Sequence, residues 1–238
     1  MVKLWQDLQE NLLFVLVCAG IVLALMLLAK LAERFLPQRR KVSTARRVSI
    51  IGICSALAAV LHILDFPLIF LAPEFYKLDF SEIPVLLCGF YLGPSATVVC
   101  EGVKILLKLL LKGTSTAFVG DFANFAVGCS LVLPATILYH IRKTKSGAVL
   151  GLGVGTGILT VFGSAFNAVY LLPKFAQLYG MPLETIISMG TKVNPGVTSV
   201  TTFALLCVAP LNLIKGISVS LLTLLLYKRV EKVLFRHK

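Results

Sequence analysis

The stretch IPVLLCGFYLGPSATVVCEGVKILLKLLL, residues 83–111, decides the fold. Its first ten residues form a short apolar helix. Gly93-Pro94 then turns the chain, with proline at the first position of the next helix, where a missing N–H is tolerated. Residues 95–111 run back as a second apolar segment, so the stretch reads as two membrane spans joined by a tight turn. Working outward, similar runs occupy 12–31 and 48–64 before it and 118–138, 149–172 and 197–227 after it. Twenty residues are about what a helix needs to cross a 30 Å hydrocarbon core at 1.5 Å per residue. Seven spans are therefore expected in an all-α integral membrane protein.

Composition agrees: 58% of the 238 residues are hydrophobic and 14% charged, against roughly 25% charged in a soluble domain. Mean hydropathy is +0.92. The apolar runs fall in every third of the chain, which excludes disorder and leaves no soluble domain with its own core. On such a chain the net charge of +12 is a topology signal, and nucleic acid is not an expected partner. Cys18, Cys54, Cys88, Cys100, Cys129 and Cys207 stand singly in apolar stretches and read as small core residues. No metal-ligand spacing occurs among them. Asp7 and Glu10 precede the first run and no small-residue cleavage site precedes Arg39, so this span is expected to stay in the mature chain.

Three basic segments orient the bundle. Arg34, Arg39, Arg40, Lys41, Arg46 and Arg47 follow the first span, Arg142, Lys143 and Lys145 the fifth, and Lys228, Arg229, Lys232, Arg236 and Lys238 the seventh. Seven crossings put all three on one side, which the positive-inside rule makes cytoplasmic, with the N-terminus outside. The expected division is an extra N-terminal transmembrane helix at 1–33, a basic cytoplasmic link at 34–47, a membrane domain of six helices at 48–230 and a basic tail at 231–238.

With that topology, 65–80, 113–117 and 173–196 all lie outside. Residues 65–80, DFPLIFLAPEFYKLDF, are too broken by proline for a span and too apolar for a solvated loop, so they are expected to lie over something. Ionisable groups within spans are costly and should face the bundle interior. Glu101, Lys104 and Lys108 share a helix face, and Glu101 can neutralise Lys104. Lys104 reads equally as a snorkelling or an interior group, and Lys108 and Lys112 are expected to snorkel to the outer headgroups. Asp121 and Asn124, one turn apart in GDFAN, read as a helix-start acid beside a ligand amide. Asn212 and Lys215 repeat that spacing after Pro210 and are expected to bind a ligand; Asn167 reads either as a ligand contact or as an interhelical hydrogen bond. Gly52, Ser55, Ala56 and Ala59 form a small-residue stripe suited to helix packing, inside the bundle or on a partner subunit.

Phosphate-loop, HExxH and GxSxG motifs are all missing, and His62, His140 and His237 stand apart from carboxylate pairs. An enzyme is not expected, and any ATP hydrolysis must come from elsewhere. Two further readings stay open: a secondary transporter with Glu101 or Asp121 as proton relay, and a structural subunit without a ligand.

Taken together and in order, FPLIFLAPEFYKLDFSEIP, GFYLGP, KGTSTAFVGDFANF, NAVYLLPKF and APLNLIKGISVSLL resemble the riboflavin-specific S components of energy-coupling factor (ECF) transporters, over residues 48–230. The resemblance implies a six-helix S-component bundle, here preceded by one extra helix, in a bacterial cell membrane. It implies capture of riboflavin, with flavin mononucleotide or analogues as alternatives, as a transported ligand and not a cofactor. The implied partners are a membrane coupling subunit and two ABC ATPase subunits. Carried across by motif, Phe66, Leu78 and Asp79 would lid the pocket, and Lys104, Asn124, Asn167, Asn212 and Lys215 would supply polar contacts, with Asp121 beside them. Gly52, Ser55, Ala56 and Ala59 would meet the coupling subunit. Glu101 and the leading helix have no counterpart in that pattern.

Overall fold

A computed structural model describes residues 2–36, 42–114, 116 and 118–234. Arg39, Arg40 and Lys41 of the basic link, and Arg236 and Lys238 of the tail, lie outside the described residues.

The chain is helical. Helix α1 spans Val2–Phe35, α2 Thr44–Ile63, α3 Glu82–Leu92, α4 Pro94–Lys112 and α5 Val119–Arg142. Then α6, Lys145–Phe166, continues through a π-helical turn at Asn167–Leu171 into α7, Leu172–Leu178. After α8, Leu183–Val193, the short α9, Val200–Phe203, passes through a second π-helical turn at Ala204–Val208 into α10, Ala209–Leu234. A two-stranded hairpin, β1 Phe66–Pro67 and β2 Lys77–Leu78, closes the segment expected to cover something, with Phe66 opposite Leu78. Five helical stretches among the described residues are long and apolar enough to cross a membrane.

The other two expected spans miss that standard for different reasons. Helix α4 has 19 residues but carries Glu101, Lys104 and Lys108, whereas α3 has only 11 residues. The ends of their neighbours show what the short helix does. At one end Arg47 Nη2 of α2 donates to Ser95 Oγ of α4 at 2.8 Å. At the other, Lys112 Nζ of α4 donates to the Ile63 carbonyl of α2 at 3.3 Å, so α2 and α4 run parallel. Helix α3 is hinged onto α4 at Gly93, whose φ of +103° suits glycine. Reaching about 17 Å against about 28 Å for α4, α3 stops partway, with Ser81 beside Lys104 Nζ at 3.1 Å. Space is left above its first turn, and the hairpin segment roofs it.

Both π-helical turns precede a proline by two residues, Pro173 and Pro210. Proline supplies no N–H to the carbonyl four residues back, and widening the preceding turn absorbs the mismatch. Helices α5 and α6 pack backbone to backbone through glycine: a Cβ on Gly151 would sit 2.6 Å from the Ala135 carbonyl, and one on Gly155 2.5 Å from that of Leu131. A second apolar cluster joins the lid residue Ala72 to Leu172, Ile186, Val197 and Phe203, so α7–α9 and the lid form one outer cap.

Helix α1 is part of the bundle. Ala29 is fully buried against a cluster containing Val98, Ile105, Phe125 and Leu133 of α4 and α5. Near its end Glu33 Oε1 accepts the Ser95 backbone N–H at 2.7 Å, satisfying a donor in the first turn of α4.

The small-residue stripe of α2 is divided. Ser55 Oγ donates to the Cys100 carbonyl at 3.2 Å and Ala59 is buried, so these two pack inside the bundle. Gly52 and Ala56 remain on the outer surface. The expectation of one four-residue partner face is corrected accordingly: residues 55 and 59 stand one turn apart on the side that α4 covers.

Candidate functional site

A cavity of about 380 Å³ lies over the first turn of α3, walled by α2, α4, α5, the α6–α7 turn and α10 and bounded by the lid. Asp79, Asp121, Asn124, Asn167, Asn212 and Lys215 all line it. Six residues singled out from distant stretches of sequence are thus brought to one chamber. Leu171, Phe175, Val208 and Leu211 add apolar wall, and Phe75 and Tyr76 of the lid add aromatic rings.

Each amide is placed differently. Asn167 opens the first π-helical turn and is held at both ends: its Nδ2 donates to the Gly163 carbonyl at 2.7 Å, and its Oδ1 accepts from Tyr76 Oη at 2.6 Å. The anticipated interhelical bond is therefore a bond between helix and lid. Burial raises the Tyr76 hydroxyl pKa above its ordinary value, aided by Cys207, and keeps it a donor. Asn212 is buried, with its Nδ2 unpartnered among the described residues and resting against Gly163, where no Cβ would fit. Asn124 is open to the cavity and has no side-chain hydrogen bond among the described residues. Lys108 Nζ binds Asp121 Oδ1 at 2.5 Å, leaving the buried Asp121 Oδ2 without a hydrogen-bond partner among the described residues.

The lysines of α4 correct a reading. Lys108 and Lys112 line the cavity instead of rising to headgroups: Lys108 meets Asp121, and Lys112 reaches Asp65 Oδ1 at 3.2 Å, which Lys77 also reaches at 3.2 Å. Carboxylates within reach draw both side chains inward. Lys104 lies below the cavity, fully buried, bound to Glu101, to Ser81 Oγ at 3.1 Å and to Glu82 Oε1 at 3.5 Å. As expected it is neutralised by Glu101, but as a contact to anything in the chamber it is displaced. Phe66 and Leu78 do not line the chamber either. Phe66 is half-exposed and tilts on Phe80 at 6.1 Å, and Leu78 is buried beneath the hairpin.

Asp79 anchors the lid to the floor. Its Oδ1 accepts the Ser81 N–H at 2.9 Å, and its Oδ2 lies 3.0 Å from Lys215 Nζ and 3.3 Å from His62 Nδ1. Burial pushes this carboxyl up, but Lys215, His62 and Lys104 more than offset it and hold it well below the usual range. Lys215 is also 3.0 Å from Glu82 Oε1. His62, Tyr76 and Glu82 were missed from sequence. The discoverable signal was the half-length α3, whose start has to place Asp79 and Glu82 at the depth of Lys104.

The arrangement suits a compact ligand with an apolar body and several hydrogen-bonding groups and offers no nucleophile and base in contact. No metal-binding group of His, Cys, Asp and Glu occurs among the described residues.

Comparison with known proteins places the chain. The model of the family described as ECF transporter, substrate-specific component, matches residues 46–227, so α1 lies outside the match. A riboflavin transporter, RibU of Staphylococcus aureus (strain TCH60), is 35% identical over 205 residues, covering 83% of this chain and 98% of the relative. The riboflavin transporter FmnP of Bacillus subtilis (strain 168) is 27% identical over 187 residues, covering 78% and 92%. A solved S component of a bacterial ECF transporter superposes with a TM-score of 0.63 at 34% identity, covering 82% of this chain and all of that one.

Proposed function

The chain belongs to the substrate-specific components of ECF transporters, and from that premise we propose that it captures riboflavin on the outer side of the membrane. The observation that carries this reading is the chamber over the truncated α3, where Asn124, Asn167, Asn212 and Lys215 converge beneath an aromatic lid. Riboflavin has a flat ring system suited to Phe175, Leu171 and Leu211 and a hydroxylated chain suited to amides. A few placed polar groups in an apolar pocket are sufficient. It is cargo, not a cofactor.

The floor favours the uncharged vitamin over its phosphate. Lys215 is already held by Asp79 and Glu82, so a phosphate brought to its ammonium would meet two carboxylates. The relay reading has less support: Glu101 does not line the chamber and Asp121 is paired with Lys108.

Transport then uses a membrane coupling subunit and two ABC ATPases, with ATP hydrolysis by those partners. The exposed Gly52 and Ala56 of α2 are the surviving part of the partner stripe. The lid end faces out, the N-terminus is outside and the C-terminal tail is cytoplasmic. Titrating purified protein with riboflavin should quench flavin fluorescence at one site per chain. Asn212→Ala combined with Lys215→Ala should abolish the quench, and undiminished binding by that variant would refute the site.

A further inference from the structure

Most polar groups around the chamber are engaged by the protein itself. Asn167 gives one N–H to the Gly163 carbonyl and accepts the Tyr76 hydroxyl on its oxygen. Asp79 accepts the Ser81 N–H and holds Lys215, which also meets Glu82. The Asn212 Nδ2 is buried against Gly163. Asn124 differs from all of these. It lines the chamber, is exposed, and makes no side-chain hydrogen bond among the described residues. Its carbonyl and both its N–H groups are open to whatever enters.

The surroundings narrow what that amide suits. Ala123 beside it and Val127 one turn on also line the chamber, so the amide is set in an apolar stretch of α5. A side-chain amide carries its acceptor and donor side by side in one plane. It pairs bidentately with an edge that offers a donor and an acceptor in the same way, as it does with base edges. A single hydroxyl does not have that shape. Riboflavin has one such edge: the ring N3–H lies between two carbonyls and is the only N–H of the oxidised ring. The hydroxyls of its chain, each of which both gives and accepts a hydrogen bond, suit the floor instead, where Asp79 and Lys215 set an acceptor beside a donor.

We propose, on the riboflavin reading, that Asn124 is the specificity-determining residue for the ring. Its Oδ1 accepts N3–H and its Nδ2 donates to the neighbouring ring carbonyl, while the chain lies toward Asn212, Asp79 and Lys215. The polar edge of the ring thus meets α5, and its apolar faces lie against Leu171, Phe175 and Leu211. The chamber then selects planar rings that bear this imide edge over hydroxylated ligands without one.

The test is a cycle between ligand and protein. Riboflavin and N3-methylriboflavin, which keeps the chain and both carbonyls but has no ring N–H, are titrated by fluorescence quenching against wild type, Asn124→Ala and Asn124→Ser. Asn124→Ala should weaken riboflavin binding about 5- to 100-fold, as expected for two net hydrogen bonds. N3-methylation should cost wild type at least about tenfold, because a site built to bind an N–H rejects the analogue lacking it. It should cost Asn124→Ala about threefold or less, since truncation removes the partner and makes room for the methyl. Asn124→Ser, also small, should show the same reduced cost. Both variants should keep the ligand-free unfolding temperature of wild type. An equal methyl cost in all three proteins, or undiminished riboflavin affinity in Asn124→Ala, overturns the proposal and leaves riboflavin binding standing. A collapse of unfolding temperature in both variants would make Asn124 a structural residue and overturn it as well. A wild type that binds no flavin refutes the riboflavin reading and this inference with it.

Discussion

Gly163→Ala separates the two duties of the α6–α10 contact. A Cβ at residue 163 would stand 2.6 Å from Asn212 Nδ2, so the amide has to retreat to the 3.4–4 Å of ordinary contact. Asn212 is buried, and its Nδ2 has no hydrogen-bond partner among the described residues. A misplaced amide forfeits about one net hydrogen bond, about 0.5–1.5 kcal/mol, which corresponds to about 2- to 13-fold in Kd. Fold stability should move the other way, since alanine is favoured over glycine inside a helix by about 1 kcal/mol. The assay is a double-mutant cycle of riboflavin affinity with Asn212→Ala. If the alanine acts through the amide, Gly163→Ala should cost nothing further once Asn212 is gone, because contacting residues are not additive. An equal loss in both backgrounds would show that the added methyl distorts the chamber generally, and undiminished affinity in the single variant would remove Asn212 from the site.

Three further outcomes are expected. Tyr76→Phe deletes the hydroxyl that closes the lid on Asn167, so stopped-flow mixing should show flavin dissociation about 2- to 10-fold faster with association little changed. Ala56→Leu, on the outer face of α2, should abolish ATP-driven uptake by the assembled transporter while the isolated subunit binds normally; Ala59→Leu, at a position only 1% exposed, should lower the unfolding temperature and impair binding as well. Deleting residues 2–41 uncovers the face that buries Ala29 and removes the Glu33 cap from Ser95, so the unfolding temperature should fall with affinity within about twofold of wild type, measured by thermal scanning and fluorescence titration.

The sequence made the helices and the polar set legible because bilayer depth imposes lengths and penalties that leave marks in single residues. Gly93-Pro94 marked the hinge, and amides and lysines at depth marked Asn124, Asn167, Asn212 and Lys215. What it did not carry was direction around a helix axis. The α2 stripe illustrates this: 55 and 59 face α4, 52 and 56 face outward, and only the packed neighbour distinguishes the pairs. Lys104 was legible as an interior charge but not as one lying below the chamber. His62 was passed over because its carboxylate, Asp79, arrives from a loop 17 residues on. Tyr76 has a similar history, since its partner Asn167 is 91 residues away.

The buried ion pairs below the chamber follow from the short helix. A span that stops partway places its first-turn N–H groups and the preceding loop at a depth where water cannot serve them, and irregular backbone is tolerated there only beside a cavity or buried in protein. Half-helices whose N-termini meet a binding site are a recurrent solution in transporters. Here Asp79 answers the Ser81 N–H, and Glu82 occupies the first turn, where negative charge suits the helix dipole. Those carboxylates need cations at the same depth, and Lys215 and Lys104 reach them from α10 and α4. Lys104 brings Glu101 close, in a position open only because Gly128 of α5 has no side chain to fill it. Truncating α3 thus creates the chamber and the charges beneath it in one step. It also joins lid, floor and α10 through Asp79, so a ligand that engages Lys215 acts directly on the residue that anchors its own cover.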